Sequence, residues 1–174
     1  MTTSGPHLVV IGAPGAGKTR VGKRVARLLK VRFIDTDRRI VAAHGPIATI
    51  FAERGETWFR QVERAEVAKA LSEFGVVSLG GGAVLDPATQ EQLAHHRVAM
   101  LTVSAEAVEE RIAGAKRPLL KNGIDAWLTL VESRREIYER LASRSWDTSD
   151  RPIDQIAAEI AEWVLEDSAS KELQ

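Results

Sequence analysis

The sequence predicts an α/β protein in which a five-stranded parallel sheet lies between two layers of helices. Short β-type runs alternate with longer helical runs along the chain, a pattern typical of βαβ units whose sheet is covered on both faces. A glycine-rich segment follows the first apolar run directly, where phosphate-binding proteins turn from a strand into a helix. The length of 174 residues is that of a single domain.

In the first half of the chain, three short apolar runs predict strands. They are bounded by glycine or polar residues and cover residues 7–11, 33–35 and 76–79. The longer segments between them predict helices. Gly45-Pro46 and Gly55 are helix breaks, one before the helix expected at 47–53 and the other before the helix expected at 56–73. These helices are expected at residues 17–29, from residue 38 onward, at 47–53 and at 56–73.

In the second half, two further strands are expected at residues 98–103 and 145–147. Helices are expected at residues 87–94, 105–113, 126–142 and 152–165. Pro152 stands in the first turn of the last helix, where its missing N–H costs nothing. The polar tail at residues 166–174 is expected to fray. Trp127, Trp146 and Trp163 are interpreted as packing residues at helix and sheet contacts.

The composition excludes several kinds of protein. The 24 basic residues balance 24 acidic ones, which argues against a broad nucleic-acid surface. There is no cysteine, so disulfides, thiolate metal sites and a cysteine nucleophile are excluded. No apolar run approaches the roughly 20 residues of a membrane span, and the first residues have no signal-peptide pattern. We therefore expect a cytoplasmic monomer with neither a membrane nor a nucleic acid as partner.

Residues 12–19 read G-A-P-G-A-G-K-T, which fits the phosphate-loop pattern G-x-x-x-x-G-K-[ST] between a strand and a helix. Backbone N–H groups of such a loop and the positive end of the following helix bind phosphate. Lys18 would reach the β- and γ-phosphates, and the Thr19 hydroxyl would be a ligand of Mg²⁺. A glycine-rich turn without a ligand is the less favoured alternative. The pattern predicts a bound nucleoside triphosphate but does not name the phosphate acceptor.

Asp35-Thr36-Asp37 follows the second predicted strand. Two carboxylates this close together at a strand end are not expected to lie unpaired in a core. One of them could be explained by capping, with Thr36 or Asp37 as the cap of a helix that starts near Arg38. The functional interpretation assigns Asp35 to the hydration shell of Mg²⁺ and Asp37 to a substrate hydroxyl.

Two further features lie on the expected acceptor side. Arg60 and Glu63 are three residues apart on one helix and can pair, although a surface salt bridge would have the same spacing. Gly80, Gly81 and Gly82 end the third strand. They leave backbone N–H groups bare enough for a ligand to approach, and a flexible turn is the alternative.

Taken together, these motifs resemble those of the shikimate kinase family over roughly residues 8–164. The most specific stretch is D-T-D at 35–37, then I-x-x-I-F-x-x-x-G-E-x-x-F-R-x-x-E at 47–63, then L-G-G-G-A at 79–83. R-P-L-L at 117–120 is similar to the family's lid motif, and Arg134 and Tyr138 have its R-x-x-x-Y spacing. Where many members have a second hydroxyl residue after Thr19, this chain has Arg20.

The resemblance implies a P-loop kinase that uses ATP and Mg²⁺ to phosphorylate the 3-hydroxyl of shikimate. It implies one kinase domain over residues 1–174, with an acceptor-binding segment at 33–62 and a lid at 114–124. Asp37, Lys18 and Arg117 would be catalytic, and Thr19 and Asp35 would serve the metal. The implied ATP-binding residues are Gly15, Ala16, Gly17, Lys18, Thr19, Arg20, Arg111, Arg117 and Arg151. The implied shikimate-binding residues are Asp37, Phe51, Phe59, Arg60, Gly80, Gly81, Gly82 and Arg134.

Two other functions are weighed against this one. A related carbohydrate kinase such as a gluconate kinase would share the fold and the phosphate loop, and its substrate also carries a carboxylate. A P-loop protein that binds nucleotide for regulation would not need the acceptor-side residues. The combination of D-T-D, F-R-x-x-E and G-G-G favours shikimate.

Overall fold

The computed structural model describes residues 5–113 and 123–172, and its centre is a parallel sheet of five strands. The strands follow the order β2-β3-β1-β4-β5 across the sheet. This confirms the predicted α/β class and the five-stranded parallel sheet. The strand bounds are β1 Leu8–Gly12, β2 Phe33–Asp35, β3 Val76–Ser78, β4 Val98–Thr102 and β5 Arg144–Asp147.

The register of the sheet brings the ends of three strands to one edge. Ser78 of β3 lies opposite Val10 of β1 on one side and opposite Asp35 of β2 on the other. The segments that follow β1, β2 and β3 therefore leave the sheet side by side. Ligands of open parallel sheets bind at this carboxyl edge.

Helices cover both faces of the sheet. Two of them differ by three residues from the predicted bounds, since α4 ends at Ala70 and α7 begins at Gly123. The helix bounds are α1 Lys18–Leu29, α2 Thr36–His44, α3 Ile47–Arg54, α4 Glu56–Ala70, α5 Pro87–Leu93, α6 Ala105–Ala113, α7 Gly123–Leu141 and α8 Ile153–Glu172, with a short 3-10 turn at Ala83–Leu85.

The core is divided between the two faces because side chains of a strand alternate. Leu8 and Val10 of β1 pack with α1 and α8, whereas Val9 and Ile11 pack with α4, α5 and α7. All four side chains are fully buried or nearly so. Burial on both sides explains why β1 is an uninterrupted apolar run, as expected for a central parallel strand.

A small separate cluster lies outside the sheet, where α2, α3 and α4 meet. Ile40, Ile50 and Phe59 are its buried members. It holds these three helices together beside the carboxyl edge, within the segment 33–62 expected to bind the acceptor.

The prediction that the tail frays after residue 165 is wrong, because α8 continues to Glu172. Arg97, at the start of β4, donates from Nε to Oδ2 of Asp167 at 2.8 Å and also reaches the Ser168 hydroxyl. This contact between distant parts of the chain stabilises a stretch whose composition alone is polar. Within residues 5–113 and 123–172, no helix is long and apolar enough to cross a membrane.

Candidate active site

The phosphate loop connects β1 to α1 at the carboxyl edge of the sheet. Gly17, directly before α1, has φ 86° and ψ 22°, in the left-handed region that side chains other than that of glycine rarely adopt. Gly15 lies in the same region with φ 84°. The loop therefore turns sharply and directs the N-terminus of α1, with its partial positive charge, toward this edge.

Lys18 folds back over the loop. Its Nζ donates to the carbonyl oxygens of Gly12 at 2.8 Å and Ala13 at 3.0 Å. Burial lowers the pKa of Lys18 to about 8, although the nearby carboxylates of Asp37 and Asp35 act to raise it. The ammonium group thus lies on the loop and feels the charge of both acidic residues, and a bound phosphate would further stabilise its charged form.

Asp35 joins the phosphate loop to α2. Its Oδ2 accepts a hydrogen bond from the Thr19 hydroxyl at 2.8 Å, and its Oδ1 accepts one from the backbone N–H of Arg38 at 3.1 Å. Asp35 is therefore the N-cap of α2, and the interpretation of Thr36 or Asp37 as the cap is wrong. The helix begins at Thr36, two residues earlier than expected, so that Asp37 lies in its first turn.

Thr36, the central residue of D-T-D, ties two strand ends together. Its side chain is fully buried. The Thr36 hydroxyl donates to the carbonyl of Ser78 and accepts from the N–H of Gly80, both at 3.4 Å. This pair of contacts fixes the segment after β2 against the glycine segment after β3.

Asp37 has an unsatisfied oxygen in the middle of the site. Its Oδ1 is buried and has no hydrogen-bond partner among the residues that the structure describes. Burial, reinforced by the charge of Asp35, raises the pKa of Asp37, whereas Lys18 and Arg60 act to lower it. A buried acceptor without a donor is rare in folded proteins. A hydroxyl of a bound substrate would supply the missing donor.

Arg60 forms a partly buried ion pair with the buried carboxylate of Glu63, so the surface salt bridge considered from the sequence is wrong. Nη1 of Arg60 donates to Oε1 of Glu63 at 2.7 Å, and Glu63 is only 4% exposed. Burial raises the pKa of Glu63, and the hydrogen bond from Arg60 opposes that shift. The guanidinium lies against the glycine segment, because a Cβ built on Gly82 would be 2.4 Å from Nη1 of Arg60.

Arg134 and Tyr138, one turn apart on α7, also lie next to the glycine segment. The hydroxyl of Tyr138 donates to the carbonyl of Gly81 at 2.5 Å. A Cβ built on Gly81 would be 3.5 Å from Nη1 of Arg134. Two guanidinium groups therefore lie close to the glycine segment, a suitable arrangement for binding a carboxylate.

The two phenylalanines expected at the acceptor site pack against each other. The ring centroids of Phe51 and Phe59 are 4.8 Å apart, and Phe59 is buried while Phe51 is half-buried. Arg60 lies over the ring of Phe59 at 5.3 Å. The pair thus connects the acceptor-side arginine to the α2–α3–α4 cluster.

The arginines expected around ATP lie in different environments. Nη1 of Arg111 donates to the carbonyl of Gly15 at 2.6 Å, and its Nη2 donates to the carbonyl of Thr148. Arg151 forms an ion pair with Glu159, and Arg20 is exposed in the first turn of α1. Arg117 and most of the expected lid fall in residues 114–122, outside the described residues.

Two residues of the site were missed by sequence reasoning. The indole N–H of Trp127 donates to the carbonyl of Pro14 at 2.8 Å, and the hydroxyl of Thr148 donates to the carbonyl of Ala16 at 2.8 Å. Trp127 does pack, as expected, but it also bonds the phosphate loop. These contacts join residues more than a hundred positions apart and belong to no local motif, so no signal in the sequence identifies them.

Comparison with known proteins places this chain in a family. The family model described as shikimate kinase matches residues 14–165. The chain belongs to the shikimate kinase family. A curated shikimate kinase of Salinispora tropica is 46% identical over 160 residues, covering 90% of this chain and 96% of that protein. Among solved structures, shikimate kinase from Acinetobacter baumannii in complex with shikimate has a TM-score of 0.84 and 28% identity, covering 95% of each chain.

A gluconokinase from Sinorhizobium meliloti is also similar, which bears on the alternative considered from the sequence. It has a TM-score of 0.63 and 19% identity, covering 96% of this chain and 95% of its own. This likeness shows the common fold alone. The shikimate kinase family, in contrast, is matched by sequence over most of the chain.

Proposed function

We propose that the protein transfers the γ-phosphoryl group of ATP to the 3-hydroxyl of shikimate, giving shikimate 3-phosphate and ADP. The observation that carries the proposal is the unsatisfied Oδ1 of Asp37. It lies beside Gly80, and the positive charges of Lys18 and Arg60 are close enough to act on the pKa of Asp37. A hydroxyl bound to this oxygen would therefore lie between the phosphate loop and the guanidinium groups of the acceptor side.

The acceptor side fits a ring with several hydroxyls and one carboxylate. Arg60 and Arg134 flank Gly81 and Gly82, and a planar guanidinium group matches a carboxylate in charge and in geometry. The backbone of the glycine segment can approach a ring closely because it carries no side chains. This combination supports an acid with hydroxyl groups over a neutral sugar.

The donor side fits the triphosphate of ATP. The glycine loop and the N-terminus of α1 offer N–H donors, and Lys18 brings a positive charge to the same place. In phosphoryl transfer the protein mainly positions the groups and neutralises charge, and it forms few covalent bonds itself. Arg117 would add a second charge at the transferring phosphate, and Arg151 would lie on the adenine side.

The residues near Thr19 also fit a magnesium ion. Mg²⁺ prefers oxygen ligands and keeps several of its waters when it binds with a nucleotide. The Thr19 hydroxyl and the Asp35 carboxylate are such oxygens, 2.8 Å apart at the edge of the loop. Among the described residues no group of three or more acidic, histidine or cysteine side chains could hold a metal. When bound, Mg²⁺ would neutralise charge on the phosphates.

Asp37 orients the hydroxyl and takes up its proton as the new P–O bond forms and the bond from phosphorus to the leaving ADP oxygen breaks. The burial that raises the pKa of Asp37 also makes its carboxylate a better proton acceptor. The positive charge of Lys18 opposes the rise in the pKa of Asp37, so the carboxyl group of Asp37 can be ionised when the substrate binds.

The test is an ADP-release assay with shikimate, quinate and gluconate offered in parallel. We expect ADP release that depends on shikimate and Mg²⁺, and its loss in Asp37→Asn. Asp154→Asn is the matched control, because Asp154 is an exposed carboxylate that pairs with Arg24 on the surface. Turnover of gluconate with none of shikimate would instead establish the carbohydrate kinase alternative.

A further inference from the structure

Every carbonyl group of residues 12–16 in the phosphate loop accepts a hydrogen bond from a side chain. Lys18 itself bonds the first two. The next three are bonded by side chains from distant parts of the chain: Pro14 by Trp127, Gly15 by Arg111 and Ala16 by Thr148. We call Trp127, Arg111 and Thr148 the carbonyl clamp.

A bonded carbonyl fixes the direction of the N–H in the same peptide group. The peptide is planar and trans, so its C=O and N–H point in opposite directions. Fixing the carbonyl of Pro14 fixes the N–H of Gly15, and fixing the carbonyl of Ala16 fixes the N–H of Gly17. The N–H of Ala16 is bonded within the loop, to the carbonyl of Ala13 at 3.1 Å. The clamp thus sets the orientation of two glycine N–H groups.

The clamp residues are themselves immobilised by their surroundings. Trp127 is 2% exposed and packs with Ala13 and Val108. Thr148 is 3% exposed, and its backbone N–H donates to the carbonyl of Thr102, at the end of β4, at 2.9 Å. The three clamp side chains come from α7, from α6 and from the segment after β5, so the loop is held from three independent elements.

We propose that Trp127 and Thr148 are positioning residues of the phosphate loop, which orient the N–H groups of Gly15 and Gly17 toward the phosphates. This inference rests on one part of the proposed function, the binding of a nucleotide by the phosphate loop. It predicts an effect on the phosphate side of the site alone, because neither residue contacts Asp37, Arg60 or the glycine segment 80–82 in any bond described above.

The first test is Trp127→Phe, which keeps an aromatic ring and removes the indole N–H. We expect the dissociation constant for ADP, measured by calorimetry, to rise about three- to tenfold, the range for one net hydrogen bond. The dissociation constant for shikimate should stay within about twofold, given the modest size of indirect effects between separated sites. Trp163→Phe is the matched control, since Trp163 packs on Trp146 and donates to no carbonyl of the loop among the described hydrogen bonds, and it should leave both constants unchanged.

A second pair of variants separates positioning from folding. Thr148→Val keeps the shape but lacks the hydroxyl, whereas Thr148→Ser keeps the hydroxyl. We expect weaker ADP binding in Thr148→Val and recovery in Thr148→Ser, so this pair also decides the case if Trp127→Phe does not fold. Folded variants of both residues that bind ADP as tightly as the parent protein would overturn the proposal. Since only binding is measured, failure of the clamp is distinguishable from failure to phosphorylate shikimate.

Discussion

Gly80 and Asp37 are in such close contact that position 80 leaves no room for a side chain. A Cβ built on Gly80 would lie 2.4 Å from Oδ1 of Asp37 and 2.9 Å from its Cγ. The oxygen in question is the buried one that has no hydrogen-bond partner among the described residues. A side chain at position 80 would therefore displace the carboxylate that we assign to the substrate hydroxyl.

Gly80→Ala should displace the carboxylate of Asp37 and lower kcat for shikimate by about 10²-fold, the effect of a misplacement of about 1 Å at a reacting group. Gly81→Ala is the graded control, since the nearest atom to its added Cβ would be Cδ of Pro14 at 3.3 Å. Steady-state kinetics of both variants check this prediction. A Gly80→Ala enzyme with the kcat of the parent would show that the position of Asp37 is not critical.

Asp37→Asn keeps the shape of the side chain and removes its ability to take up a proton. General-base assistance contributes about 10²- to 10⁴-fold, and we expect kcat to fall within that range. ADP binding should change less than kcat, because among the described residues Asp37 acts on the phosphate loop only through the charge of Lys18. Turnover and ADP calorimetry on the same preparation separate these effects, and near-normal kcat would remove Asp37 from the mechanism.

Arg134→Ala should raise the KM for shikimate by about one to two orders of magnitude, since a charge-assisted hydrogen bond contributes about 1.5–3 kcal/mol. Its effect on the free energy of unfolding should be small, because Arg134 is half-buried and forms no ion pair among the described residues. Kinetics and denaturant unfolding provide the two measurements. An unchanged KM would mean that the carboxylate binds elsewhere.

Arg60→Ala should raise the KM for shikimate similarly and also destabilise the fold, because it leaves the buried Glu63 without its partner. We expect the free energy of unfolding to fall by about 1–3 kcal/mol. Adding Glu63→Gln removes the stranded charge and should restore much of that stability without restoring the KM. Recovery of both properties together would show that Arg60 acts only through folding.

The sequence predicted those parts of the site that depend on local pattern. The phosphate loop, D-T-D and the glycine segment each lie within a few residues at a strand end, and the parallel sheet brings strand ends together. Trp127 and Thr148 escaped prediction because they bond the loop across 113 and 132 positions of the chain. The cap of α2 was misplaced because Asp35, Thr36 and Asp37 are all good capping residues, and only the backbone shows which one precedes the helix.

The low pKa of Lys18 makes nucleotide binding dependent on pH. The pKa of Lys18 is about 8 in the free protein, so at higher pH most of the side chain is neutral. Bound phosphate favours the charged form. At a pH about one unit above this value, ADP binding should take up as much as about one proton, and the uptake should vanish one unit below it. Calorimetry in buffers of different ionisation enthalpy measures this proton. Binding without any uptake at the higher pH would contradict the lowered pKa.

Phosphorus–proton correlation NMR, after incubation with ATP, Mg²⁺ and shikimate, identifies the hydroxyl that receives the phosphate. We expect a phosphate ester whose phosphorus couples to the proton on C3 of the ring, formed about 10²- to 10⁴-fold more slowly by Asp37→Asn than by the parent protein. A phosphate on another hydroxyl, or an equal yield from Asp37→Asn, would contradict this expectation.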